Sequence, residues 1–210
     1  MPLILIPAVI TLVVTLLRLV GELLNWSPAL FSRAPGGGFS LVGISWLIPV
    51  FGVYFALKLN ARGEGPVSGW KAAGWALVGL VVMIAVVAVG ATMKWPRVAL
   101  LIASSISAWV AIAIAFRGWP ALARTLLSYG FAARIPVAIV MLVAIYARWG
   151  THYDAFPPNM PEVDAMAPFV KWFSFGLVPQ MTGWMCMTVV FGMLVGGVAA
   201  ALVGRRPASA

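Results

Sequence analysis

The sequence predicts an all-α integral membrane protein, a bundle of about six transmembrane helices of which several are proline-kinked. Three observations carry that reading. The 210 residues are 63% hydrophobic and only 9% charged, whereas a soluble domain carries about 25% charged residues. The apolar residues fall in long runs, each near the roughly 20 residues that cross a bilayer as a helix. Those runs lack the two-residue alternation of a lipid-facing barrel, and helices satisfy their backbone groups within the segment.

The first span covers residues 3–26 and is read as retained rather than cleaved, because no basic stretch precedes it. Arg18 and Glu22 interrupt its second half; four residues apart, they share a helix face and can pair. A Gly/Pro/Ser link leads to the second span, residues 39–59, with Pro49 near its centre as a kink. The third span, 70–93, is dominated by Val, Ile and Ala, and a tight Lys94–Arg97 turn leads to the fourth, 98–116. There Ser104, Ser107, Ala111 and Ala115 offer small residues for close helix approach. A short amphipathic helix over 121–129 is expected before the fifth span, 130–148, with Arg134 and Pro136 close to its start. The last apolar run is longer than one span needs. Pro179 is expected to break it into an interfacial piece and a span at 179–203, followed by a short tail at 205–210. The polytopic domain is thus a single unit over 1–204.

Six spans put both termini on one side. Lys and Arg then divide seven to five between the two sides. The positive-inside rule favours cytoplasmic termini in a multi-pass cell inner-membrane protein. The formal charge of +9 is spread over short links without a basic block, so membrane lipids, and not nucleic acid, are the expected partners.

Polar chemistry concentrates in the extramembrane loop 149–168. It holds the single histidine, His152, and three of the five carboxylates, Asp154, Glu162 and Asp164. In an extended segment His152 and Asp154, two apart, point the same way. Under six spans Arg18 and Glu22 lie at the same end as this loop. Arg18, Glu22, His152 and Asp154 therefore form the candidate polar site, and Arg134 is expected too far away to pair with Glu22. Pro49, Arg134, Pro136, Pro179 and Gln180 are the candidate path or helix-break residues, since a broken helix exposes carbonyls that can hold an ion or solute. One histidine is too few for a typical metal centre. Met181, Met185, Cys186 and Met187 on the last span read more readily as packing than as soft ligands. No nucleotide, haem or hydrolase motif is present, and no cofactor follows from the sequence.

Three function classes fit. A small transporter or channel for an ion or small solute is favoured by the proline breaks and intramembrane charges. A non-catalytic subunit or assembly factor of a larger membrane complex, or a homo-oligomer, is favoured by sparse chemistry and by the Gly192–Gly196 pair at four-residue spacing. An intramembrane enzyme on a lipid-like substrate would use Glu22, His152 and Asp154 as acid–base groups.

Overall fold

A computed structural model describes the chain except residues 1, 38–39, 41, 157–159 and 205–210. The tail at 205–210 and residue 39, where the second span was placed, lie outside the described residues. The remainder is an all-α bundle of five long apolar helices and one shorter helix: α1 (Leu3–Leu23), α2 (Leu47–Ala61), α3 (Gly69–Thr92), α4 (Arg97–Phe116), α5 (Pro120–Ala147) and α6 (Pro168–Val203). This is a membrane protein by helix length and apolar composition.

Cross-links between loops fix which helix ends lie together. Glu22 at the end of α1 meets His152, and Arg97 at the start of α4 pairs with Glu162. The described residues of segments 24–46, 93–96 and 148–167 therefore share one end of the bundle, here the upper end. At the lower end, Asn60 Nδ2 donates to Gly204 O (2.8 Å) and Trp119 Nε1 donates to Glu64 O (2.8 Å).

The lower half is held by very close helix approach. A Cβ on Gly52 of α2 would fall 2.7 Å from Gly192 O of α6, and one on Gly69 of α3 would fall 2.5 Å from Gly197 O. Between α3 and α4, a Cβ on Gly79 would lie 2.6 Å from Ala111 O. Ala72, Ala76, Ala108, Ala111 and Ala115 are fully buried in the same seam. Without a hydrophobic force between helices in lipid, such backbone approach supplies the dispersion contacts that hold them. The Gly192–Gly196 pair is thus spent inside the bundle.

Two expected boundaries are corrected. Helix α2 begins at Leu47, so Pro49 lies in its first turn. No backbone donor is needed there, and the proline does not kink a span centre. Glycines 36, 37 and 43 keep the preceding segment irregular. Helix α5 is one continuous helix of 28 residues from Pro120, rather than a short helix followed by a span. Nothing between 121 and 130 stops it, because Gly130 packs its bare face against Met185 Sδ. Arg134 and Pro136 consequently sit mid-helix, not near a start. Helix α6 spans 36 residues and is interrupted once, at Thr182 (φ −120°, ψ −81°), three residues after Pro179, the residue expected to kink or break it. Two π-helical stretches, Trp172–Leu177 and Met187–Phe191, widen it. The first ends just before Pro179, and the interruption at Thr182 follows. Gln180 lies in the short helical turn Val178–Met181 that precedes the interruption.

Replacing Gly197 by Leu should weaken the bundle by about 1–3 kcal/mol through overpacking, since a Cβ there lies 2.7 Å from Ala73 N. Gly74→Ala, with nothing within 4 Å, should instead be neutral or gain up to about 1 kcal/mol. Thermal unfolding of the two variants in one detergent checks the contrast.

Candidate functional site

Helix α1 is apolar on its outer face and polar on its inner one. Leu5, Val9, Leu12, Val13 and Leu16 are exposed, whereas Thr11, Thr15, Arg18 and Glu22 are buried. Spacings of three and four residues stack these four polar groups on one stripe. Thr11 Oγ1 lies 2.7 Å from Tyr129 Oη of α5, and each threonine hydroxyl also donates to the carbonyl four residues back.

At the top of the stripe Glu22 is 1% exposed and gathers three donors. Arg18 Nε donates to its Oε1 at 2.8 Å, His152 N donates to its Oε2 at 2.8 Å, and His152 Nδ1 lies 2.5 Å from Oε1. A carboxylate oxygen only accepts, so Nδ1 carries the proton and the other ring nitrogen, Nε2, is left for another partner. Burial is the main force on the imidazole and depresses its pKa below the usual histidine value; nearby Arg18 adds to this, against the opposing bond to Glu22. Neutral His152 with Nδ1–H is the resulting form.

Arg18 has a second job. Its Nη2 donates to Ser32 O (3.1 Å) and Gly37 O (2.7 Å), holding the irregular 24–46 segment over the bundle. Arg33 in turn donates through Nε to the Glu22 carbonyl at 2.9 Å and through Nη2 to the same oxygen. It caps the C-terminal end of α1, where a cation is favoured.

Asp154 does not join the cluster. Residues 151–154 form a turn, with Asp154 N donating to Thr151 O, so the extended geometry expected for His152 and Asp154 is absent. The Asp154 carboxylate accepts from Gly150 N, Thr151 N and Thr151 Oγ1 at 2.7–2.8 Å. Its work is to shape the loop that delivers His152. The adjacent Tyr153 is buried, which raises its pKa, and its hydroxyl donates to Thr15 O at 3.2 Å.

Beneath this roof lies a cavity of about 360 Å³ between α1, α5, α6 and the two upper segments. Arg18, Arg134, His152, Gln180 and Thr15 supply its polar lining; Val14, Ile44, Val137, Met141, Phe175 and Trp184 supply apolar wall. Among the described residues no carboxylate lines it. Arg134, 3% exposed, donates to Thr188 Oγ1 at 3.2 Å and stacks over the Trp184 ring at 5.0 Å. Its Nε and the Gln180 Oε1 are buried without hydrogen-bond partners among the described residues. Arg134 is not bonded to Glu22, but it is not remote either. The continuous α5 carries it to mid-helix, where it faces the chamber that Arg18 and His152 also face. Pro49 and Pro136 do not line this chamber, and Pro179 shapes it only by placing Gln180.

Sequence reasoning missed Thr11, Thr15 and Trp184. The first two were signalled by the 11–15–18–22 polar spacing; the third depends on the twist of α6 and had no sequence signal. Among the described residues no group of three or more His, Cys, Asp or Glu side chains could hold a metal. Met185, Cys186 and Met193 are fully buried packing residues. No protein-family model, curated protein or solved structure matches the chain.

Glu22→Gln leaves Arg18 buried without its countercharge and should destabilise by about 3–5 kcal/mol. The same change at exposed Asp164 should cost less than about 0.5 kcal/mol; chemical or thermal unfolding separates them. A second expectation concerns pH. The unfolded chain binds a proton at His152 below about pH 6.5, while the folded chain, with its depressed pKa, does so only at lower pH. Stability is therefore full above that value and falls as pH drops through it. A melting series from pH 8 to 5 should show the fall, and His152→Gln should flatten it.

Proposed function

We propose that this protein is a small membrane carrier for an anionic solute, and that the cavity between α1, α5 and α6 is where the anion is held. One observation carries the reading. The chamber presents two arginines and no carboxylate among the described residues, and the carboxylates nearby are already engaged, Glu22 by Arg18 and His152 and Asp154 by its own turn. A guanidinium at membrane depth is costly and marks a substrate or ion site by default. Arg134 lines the chamber, and its buried Nε has no hydrogen-bond partner among the described residues, so its charge is incompletely satisfied by protein.

A channel is less well supported than a carrier. Below the cavity Tyr129 packs on Phe51 and Phe55 at 5.3 and 5.5 Å between ring centroids, and the lower half is closed by small-residue seams. The cavity is thus closed toward the lower end. The seven-to-five division of Lys and Arg read from the sequence, which includes the tail residues Arg205 and Arg206, makes the lower end cytoplasmic by the positive-inside rule and the upper end outward. The subunit reading loses the support it drew from Gly192 and Gly196, because both are covered by α2 and α5 within the chain.

A second reading keeps one specific observation. Glu22 fixes the His152 tautomer with Nε2 left for a ligand, the arrangement of a general base. Acid–base chemistry on a bound lipid-like substrate would use His152 in that role.

Purified protein should be stabilised against heat by inorganic phosphate, sulfate or acetate, and not by the sodium or potassium counterion. Arg134→Gln should weaken the tightest of these anions about tenfold or more, the value of one charge-assisted hydrogen bond. Arg134→Lys should retain part of it. Equal protection of wild type and Arg134→Gln would remove the anion reading. Loss of turnover with binding retained in His152→Ala would favour the second reading.

A further inference from the structure

We infer that the anion this cavity takes is the head group of a single-chain amphiphile, which reaches it sideways from the lipid between α5 and the upper part of α6. This rests on the anion reading and names its ligand class. The aqueous side of the cavity is strapped. Arg18 holds the 24–46 segment through Ser32 O and Gly37 O, and Glu22 holds the 149–156 turn through His152. On the lipid side the wall is thin. A second groove, predominantly apolar, lies against the outer face of the same two helices, lined by Leu142, Val143, Tyr146, Ala147, Phe169 and Trp172.

What separates cavity from groove is Met141 and Trp172. Both converge on Gly176, where a Cβ would lie 3.1 Å from Trp172 Cδ1 and 3.5 Å from Met141 Cε. Met141 is an unbranched, adaptable side chain. Trp172 Nε1 donates to Ala138 O at 2.8 Å, so the indole is hinged on α5. The partition stands on the first π-helical stretch, Trp172–Leu177, a local widening of the kind that recurs at functional positions. Groove residues Tyr146 and Phe169 are more than half exposed, which is where a hydrocarbon chain would lie. From Arg134 to Leu142 along α5 is about 12 Å, so a head group on Arg134 and a medium-length chain over the partition fit together.

Charge complementarity at one end and continuity of apolar wall at the other favour an alkyl phosphate, sulfate or carboxylate over a free inorganic ion. The test uses inorganic phosphate, hexyl phosphate, decyl phosphate and decanol on the full-length protein in one detergent, read by thermal shift. Decyl phosphate should act at concentrations at least tenfold lower than hexyl phosphate, since each buried methylene is worth about fourfold, and decanol should be inert. Arg134→Gln should abolish the decyl phosphate effect. Val143→Trp, at a 44% exposed groove position, should bring decyl phosphate down to the level of inorganic phosphate without altering the latter. If inorganic and decyl phosphate act equally, or if Val143→Trp changes nothing, the amphiphile inference fails and the anion site stands. If neither phosphate acts, both fail.

Discussion

The structure depends on one buried carboxylate. Glu22 closes the polar stripe of α1 and accepts from Arg18 and twice from His152. A buried ionic cluster of this kind is costly to assemble and far more costly to leave incomplete. The consequence is structural specificity. Two irregular segments, far apart in sequence, are ordered over the same end of the bundle because each supplies or receives a bond from the Arg18–Glu22 pair. Without them the upper end would be an open splay of helices.

The same bundle is tight below and wide above, and residue size explains why. In the lower half glycines 52, 69, 192, 196 and 197 let α2, α3 and α6 approach to backbone contact. In the upper half α6 carries Trp172, Phe175 and Trp184, and it is π-widened. Large residues at one end and small ones at the other make α6 a wedge, so a cavity opens beside it. Arg134 and Gln180 line the chamber beside buried polar atoms that no described residue bonds, and electrostatic recognition is strongest where water screens it least.

Much of this was legible in the chain. Run length and charge scarcity dictate helices across a membrane, and α3 and α4 fall within a residue of their expected limits. Arg18 and Glu22 declare their pairing by spacing alone. The meeting of that pair with His152 follows from sidedness, because an even number of crossings returns both to one end. Other features needed three dimensions. Prolines 49 and 136 read as kinks, yet the first sits in an opening turn and the second is carried within a continuous helix, whereas Pro179 does precede an interruption, at Thr182. Asp154 read as a partner of His152, but its carboxylate is consumed by three local donors. Whether a short polar side chain bonds its own backbone or reaches outward is a matter of turn geometry that residue type does not reveal. Arg134 was misplaced because a helix boundary was drawn at Gly130, a glycine that serves packing rather than termination.

The central claim is that this chamber is electropositive and accepts anions. It is tested most directly at Gln180. A Gln180→Cys variant in a Cys186→Ser background offers one thiol in the cavity wall, and its modification rate can be compared for anionic and cationic methanethiosulfonates of similar size. The account predicts faster reaction with the anionic reagent and loss of that preference when Arg134 is also changed to Gln. Equal rates, or a preference for the cation, would contradict it.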